Sequence, residues 1–529
     1  MHSYRLKTDA LVIGSGLAGS MAALAMAGKG LNVALITSEP ELNSGNTPLA
    51  QGGIVYRAPD EDPRQLEADM LTAGWRHNFA RAVRFLARRG PEVIRETLVE
   101  KYGVPFARDE AGGFALTREG GHGLARILYC ADHTGKTIIE TLLEAVRREP
   151  GIQVLTGRTA VDLLTTQHHA RHLDFRYCLE NQCVGAYVYN QALGQVETML
   201  ADYTVLATGG AGRVFLHTTN APTAIGSGLA MASRARARIM NAEYVQFHPT
   251  TLYQRKGRAG RRFLVSEAVR GEGARLVNSS GEAFMSRYDA RADLAPRDIV
   301  TRAIMEEMLR TGEDCVFLDA ASYAHGDLKE RFPTISEGCA AMGVDLSREP
   351  IPVVPAAHYF CGGVLVDLRG RTTLDRLYCV GESSCTGAHG ANRLASTSLL
   401  EAALWGHEAG QDIARRAGGA RLGRKLTDSI PDWENLGQEH NEDPALIAQD
   451  WAAVRHTMWN YVGISRSTQR LRRALDDLRN QLRNIQDFYK QTPISKPIID
   501  LFHGCQTALI ITEAAHRNKK SQGCHHRVD

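Results

Sequence analysis

The chain has 529 residues, 43% of them apolar and 23% charged, and a net charge of +3. That length exceeds one ordinary core and predicts two or three domains, while the balanced charge excludes a polyanion-binding surface, so nucleic acid is not an expected partner. Ten cysteines without one Cys-x-x-Cys pair exclude the usual redox dithiol, zinc knuckle and iron–sulfur spacings, which fits reduced thiols in a cytosolic protein, and no uncharged apolar run of about 20 residues predicts a membrane span.

Asp9 to Ile13 reads as a buried parallel strand, Leu17 to Lys29 as a helix and Leu31 to Ile36 as the next strand. Between the first two lies Gly14-Ser15-Gly16-Leu17-Ala18-Gly19, a turn of the kind that brings backbone N–H groups and a helix N-terminus to a pyrophosphate. The slot after the second strand, where an acid usually takes a ribose hydroxyl, holds Thr37-Ser38, with Glu39 following. This predicts that serine or backbone contacts hold the adenosine end.

A strand from Tyr203 runs into Ala207-Thr208-Gly209-Gly210, and another, Leu377 to Val380, ends in Gly381-Glu382. An acid at such a strand end suits the polyol of a ribityl chain, and no second Gly-x-Gly-x-x-Gly exists, so FAD is the expected cofactor. Residues 236–352 lack parallel-sheet punctuation and contain the basic stretch Arg255-Lys256-Gly257-Arg258-Ala259-Gly260-Arg261-Arg262. They predict an inserted cap. From Trp433 to Gln491 the spacing of Leu471, Leu475 and Leu478 is helical. The expected architecture is therefore α/β: a Rossmann-like FAD-binding domain over 1–235 and 353–424, interrupted by an α+β capping domain over 236–352 and followed by a C-terminal helical domain over 425–529.

Several further motifs stand in order along the chain. They are Asn46-Thr47-Pro48-Leu49-Ala50-Gln51-Gly52-Gly53, Arg118-Glu119-Gly120-Gly121-His122, Gln246-Phe247-His248-Pro249-Thr250 and Glu267-Ala268-Val269-Arg270-Gly271-Glu272-Gly273. Leu294-Ala295-Pro296-Arg297-Asp298, His389-Gly390-Ala391-Asn392-Arg393-Leu394-Ala395-Ser396 and the terminal Gly523-Cys524-His525-His526-Arg527 complete the set. Together they resemble the succinate dehydrogenase/fumarate reductase flavoprotein superfamily, and within it the L-aspartate oxidases, over nearly the whole chain.

The resemblance implies flavin-dependent oxidation of L-aspartate to iminoaspartate, with dioxygen or fumarate as electron acceptor and quinolinate synthase downstream in NAD biosynthesis. It implies that Ser38, Asn46, Thr47, Ala50, Gln51, Gly52, Gly53, Ser227, Ser398 and Leu399 join the glycine-rich turn, residues 208–210 and Glu382 around FAD. Respiratory relatives carry a flavin-bonded histidine at the slot of Asn46, so FAD is expected to be non-covalent. Ser227 stands where relatives usually have a flavin-contacting aspartate.

For substrate, the resemblance implies His248, His358 and Arg393 on the two carboxylates, with Gln246 and Ser266 adding hydrogen bonds and Glu119 pairing with the α-ammonium. A buried dicarboxylate requires such donors, because an unpaired buried carboxylate costs several kcal/mol or more. Arg297 resembles the family's proton donor/acceptor, fed by Glu267 and Arg270; a purely electrostatic role for it is the alternative. The competing readings are a flavoprotein subunit docked to an iron–sulfur partner, against which Asn46 and Glu119 argue, and a flavin-binding protein without turnover. Cys524-His525-His526 could ligate a metal but lacks partner ligands at a recognised spacing, so no metal is expected.

Overall fold

The computed structural model describes residues 5–254, 260–323, 328–419, 421–435, 437 and 444–529. The basic stretch noted above falls largely on 255–259, outside the described residues. The first strand is Arg5–Ile13 and the second Val33–Ile36, joined by the helix Leu17–Ala27. That helix stops two residues before the expected end because Gly28, Lys29 and Gly30 fold back onto its last turn.

These strands belong to a seven-stranded sheet in the order Ile152–Leu155, Val33–Ile36, Arg5–Ile13, Gln195–Leu206, Cys183–Asn190, Arg158–Thr165, with Leu377–Cys379 also paired to Gln195–Leu206. The four pairings among the nucleotide-fold strands are parallel, and Ile13 stands level with Ile36 on one side and Leu206 on the other. Cys379 is level with Leu206 in turn. The carboxyl ends of these strands thus meet along one edge, where open α/β sheets bind their ligands. Arg5–Ile13 is buried from Ala10 onward, which is why it reads as an unbroken apolar run.

A second, six-stranded sheet is built on Ile351–Phe360, which pairs with Val245–Leu252, Val316–Asp319 and His217–Thr218. It draws strands from residues 217 to 360 and so extends past 236–352 at both ends. Beyond residue 443 the chain forms three helices, Pro444–Val462, Thr468–Gln491 and Lys496–Arg517. The break inside the expected 433–491 helical region falls at residues 463–467, where the Ser467 side chain accepts from Arg470 N and caps the next helix. Leu471, Leu475 and Leu478 are buried as their spacing predicts. The last helix returns to the nucleotide fold: Thr507 Oγ1 donates to Gly226 O at 2.9 Å, and a His503 ring nitrogen meets Ala160 O at 3.2 Å.

Candidate functional site

One continuous cavity of about 580 Å³ runs along the carboxyl edge of the first sheet and ends against the second. At the glycine-rich turn Gly14 has φ +116°, and a Cβ there would stand 2.2 Å from Ala207 O. The turn can close only with glycine. A Cβ on Gly19 would fall 1.9 Å from Gly14 O, so Gly19 serves helix–strand packing and does not line the cavity. Ser15 Oγ donates to Leu42 O at 2.6 Å and Leu17 N donates to Thr47 Oγ1 at 3.2 Å, which fixes the turn against the 42–47 loop. The first-turn N–H groups of helix Leu17–Ala27 have no acceptor within the helix and face the cavity wall formed by Gly14 to Ala18.

Asn46, Thr47, Ala50, Gln51, Gly52, Gly53, Thr208, Gly209, Ser227, Glu382, Ser398 and Leu399 line the same cavity. Gly210 instead backs Glu382, whose carboxylate a Cβ there would strike at 2.1 Å. Glu382 accepts from Phe360 N at 3.0 Å and from Asn46 Nδ2 at 3.2 Å, and its burial raises the carboxyl pKa to about 7. Asn46 also accepts from Ala221 N through Oδ1 at 2.8 Å. Its amide therefore bridges two walls. At the other end Ser38 is joined by residues the sequence did not reveal: Arg158 and Thr159 from a neighbouring strand, and Lys496 and Asp500 from the last helix. Long-range folding alone brings them there.

The far end collects the polar residues expected around substrate. Glu119, His248, Ser266, Glu267, Arg297, His358 and Arg393 all line it. The His248 and His358 rings lie 5.6 Å apart, centroid to centroid. Thr250 N donates to His248 Nδ1 at 3.3 Å, and His358 Nδ1 meets Thr219 Oγ1 at 2.8 Å, which leaves each Nε2 available to a ligand. Burial holds both rings far below the ordinary imidazole pKa, and Arg297 beside His248 and Arg393 beside His358 push the same way. Both are neutral at pH 7. Arg393 lies over the Tyr359 ring at 4.6 Å, donates to Leu394 O at 3.3 Å and leaves Nε buried without a partner. An orphaned donor in a wall of guanidiniums suits an anionic ligand.

Arg297 opens the helix Arg297–Thr311 and donates from Nε to Glu267 Oε2 at 2.8 Å. Burial alone would raise the Glu267 carboxyl pKa, but the charges of Arg297 and Arg270 outweigh it and hold it below its usual value. Glu119 is fixed by Ser396 Oγ and Gly53 N. Two expected site residues stand behind the wall. Arg270 is buried against Asp293 O, and Gln246 donates to Asn392 Oδ1 at 2.6 Å and Arg393 O at 2.9 Å. The register shift opposite Gln246 and Phe247 leaves His358 as the extra residue on the partner strand, and of these residues His248 and His358 line the cavity while Gln246 does not.

The sequence profile of the FAD binding domain family matches residues 9–399. The L-aspartate oxidase of Pseudomonas aeruginosa is 43% identical over 100% of this chain and 96% of its own length. The chain belongs to the L-aspartate oxidase family. A second member, L-aspartate oxidase 1 of Ralstonia nicotianae, is 42% identical over 98% of this chain and 95% of its own. Among solved structures, an E. coli quinol fumarate reductase superposes with a TM-score of 0.85 at 28% identity, covering 99% of this chain and 92% of that one. A Mycobacterium smegmatis Sdh1 complex gives 0.82 at 27%, covering 99% and 89%. This membership makes the protein an FAD-dependent oxidoreductase with an α/β nucleotide fold and a C-terminal helical domain. The glycine cradle, the helix N-terminus and the polar far end fit the two phosphates and the reactive ring of that cofactor. No helix among the described residues is long and apolar enough to cross a membrane.

Proposed function

We propose that the protein oxidises L-aspartate to iminoaspartate, the entry step to NAD biosynthesis through quinolinate. The observation that carries this reading is a carboxylate, Glu119, lining the same end of the cavity as Arg297 and Arg393. Two guanidiniums and two neutral imidazoles suit a dicarboxylate. A third, negatively charged group has a use only if the ligand also bears a cation, and the α-ammonium of aspartate supplies it.

In this reading His358 and Arg393 hold one carboxylate, His248 and Ser266 hold the other, and Glu119 orients the ammonium. Gln246 and Arg270 act through neighbours, Gln246 by fixing the Arg393 backbone and Arg270 by lowering the Glu267 pKa. Bound FAD supplies the acceptor for the hydride leaving the α-carbon. As the C–N bond becomes C=N the ammonium would lose one proton, which Arg297 would take up while giving its Nε proton to Glu267, and its charge would stabilise the reacting carbon. The surrounding buried wall excludes water, which strengthens each of these interactions.

FAD is held without a covalent bond, since Asn46 offers an amide engaged on both sides. Acid precipitation then releases the flavin into the supernatant. Dioxygen or fumarate reoxidises the cofactor, and quinolinate synthase consumes the unstable imine, in a cytoplasmic setting. The proposed domains are 1–235 with 353–424, 236–352 and 425–529, with the second sheet crossing the limits of the middle one. The deciding experiment is anaerobic mixing with L-aspartate and, separately, succinate, followed by flavin absorbance. Bleaching by aspartate is expected. Bleaching by succinate alone would transfer the assignment to a succinate-oxidising flavoprotein subunit.

A further inference from the structure

The segment 522–527 touches two parts of the cavity wall that lie far apart in sequence. Cys524 N donates to Ala391 O at 2.9 Å, and Cys524 Sγ donates to Asn392 Oδ1 at 3.2 Å. Asn392 is the same side chain that Gln246 grips while it holds the carbonyl of Arg393. Gln522 Nε2 donates to Trp75 O at 2.8 Å, next to Gly74, whose carbonyl accepts from Ala391 N at 3.1 Å. The loop that carries Arg393 is thus held on both flanks.

Two residues later, the His526 Nδ1 stands 3.4 Å from Arg302 Nη1, and Arg302 Nη2 donates to Asp298 Oδ2 at 3.4 Å. Both Arg302 and Asp298 lie on the helix that Arg297 begins. Between these two attachments, His525 Nδ1 meets Arg466 Nη1 at 2.6 Å, and Ser465–Arg466 pairs with His526–Arg527 as a short parallel ladder. A small cavity of about 20 Å³ is bordered by Gln246, Asn392, Asp298, Arg302 and Cys524 together, so the two attachments converge on one spot. Both histidines of this segment thus face an arginine.

We infer that residues 522–527 are a clasp that sets the spacing between Arg297 and Arg393, with Gly523, Cys524 and His526 as positioning residues for the dicarboxylate. The inference rests on the proposed reading in which Arg393 holds a substrate carboxylate and Arg297 faces the reacting carbon. Gly523 is the tightest point: its φ is +54°, and a Cβ would stand 2.4 Å from Ala391 O and 2.7 Å from Ala391 Cβ. Any side chain there pushes the 390–393 loop. Displacing a positioning group by an ångström commonly costs on the order of a hundredfold in rate or affinity, without any contact being lost at the ligand.

The test uses the FAD-loaded full chain and three readouts: the KM for L-aspartate, the Kd of succinate from flavin difference spectra, and the Kd of FAD from fluorescence. Gly523→Ala is expected to raise the aspartate KM and the succinate Kd on the order of tenfold or more and to lower kcat as well, with FAD affinity changed less than about twofold. Cys524→Ala is expected to shift the first two in the same direction and Cys524→Ser to restore them, because the hydroxyl still donates to Asn392. Should Gly523→Ala fail to fold, Cys524→Ala and His526→Phe carry the test. Unchanged KM and succinate Kd in these folded variants, or a loss of FAD affinity in step with KM, would overturn the clasp. Wild-type flavin that aspartate does not bleach would instead sink the proposed substrate, and the succinate Kd would still decide the clasp.

Discussion

Glu119 Oε2 accepts from Ser396 Oγ at 2.6 Å, and this bond ties the 118–122 loop to the turn that follows Arg393. The tie is reinforced from behind. A His122 ring nitrogen meets Ala395 O at 2.9 Å, and the fully buried Arg126 pairs with Glu61 at 2.8 Å and Asp69 at 2.6 Å. The carboxylate is thus held in place before any ligand arrives, which is what discrimination by charge requires. Glu119→Gln keeps an acceptor for Ser396 but removes the charge. A hydrogen bond to a charged group contributes about 1.5–3 kcal/mol, so kcat/KM for L-aspartate is expected to fall roughly tenfold to a hundredfold. Fumarate, which has no ammonium, should bind within about twofold of wild type by flavin difference spectra. Equal losses for both ligands would remove Glu119 from the ammonium.

The Arg297–Glu267 pair allows a different separation. Arg297→Leu removes the group proposed to face the reacting carbon and is expected to lower kcat by 10³-fold or so while FAD stays bound, as read by rapid mixing and flavin fluorescence. Glu267→Gln leaves Arg297 in place without its proton partner. Its turnover should fall less and lose the acid limb of the wild-type pH–rate profile, because the carboxylate that Arg297 and Arg270 hold ionised is gone. An unaltered profile would restrict Arg297 to an electrostatic role.

Buried histidines give a prediction about pH and stability. Burial, with an arginine beside the ring, depresses the pKa of several of them, among them His122 beside Arg126, His217 beside Arg262, His248 beside Arg297, His358 beside Arg393, His503 beside Arg234 and His525 beside Arg466. For His217 and His525 the value falls to about 3. Below pH 6.5 the unfolded chain binds protons at these positions and the native protein does not, so stability falls as pH drops through that point. Glu382 works in the opposite sense, because its native pKa of about 7 lets the folded state keep a proton that the unfolded state has released. Paired carboxylates such as Glu267 begin to contribute only below the ordinary carboxylate pKa. Between pH 6.5 and 5 the net slope is therefore set by the histidines. Each contributes about 1.4 kcal/mol per pH unit once well below 6.5. Thermal melts of the cofactor-free protein should show Tm falling across this window, less steeply in His217→Asn and more steeply in Glu382→Gln.

What the sequence made legible follows from how local each signal is. The turn at Gly14 to Gly19 was readable because a strand, three glycines and a helix lie within thirty residues and their geometry needs no other part of the chain. Glu119, His248, Arg297 and Arg393 carry no such local signal. They are legible only as members of an ordered set of motifs, and folding gathers them from two loops, a strand and the start of a helix. Gln246 is placed at the site by resemblance alone, and folding turns its amide onto Asn392 and the carbonyl of Arg393, behind the wall. Lys496 and Asp500 were missed because they start a helix almost 460 residues after the strand end whose ribose slot they flank.

That last pair yields the remaining prediction. The usual acid is absent after Val33–Ile36, and the structure puts Glu39 there in an ion pair with Lys496 at 3.2 Å, while Lys496 also bonds Asp500 at 2.5 Å. Burial tends to lower the lysine pKa, but its two carboxylate partners outweigh that and raise it, so Lys496 is a firm cation beside Ser38. In the proposed reading the adenosine of FAD would lie at this end of the cavity, and FMN lacks the adenosine. Lys496→Ala should therefore weaken FAD about tenfold, consistent with the loss of a charge-assisted contact and of the Glu39 alignment, and leave FMN affinity unchanged. Fluorescence titration of the cofactor-free protein with both flavins measures this directly. If the substitution weakened FMN as much as FAD, Lys496 would be acting through the docking of the last helix on Gly226 and Ala160, because that contact supports the whole cavity and not the adenosine end alone.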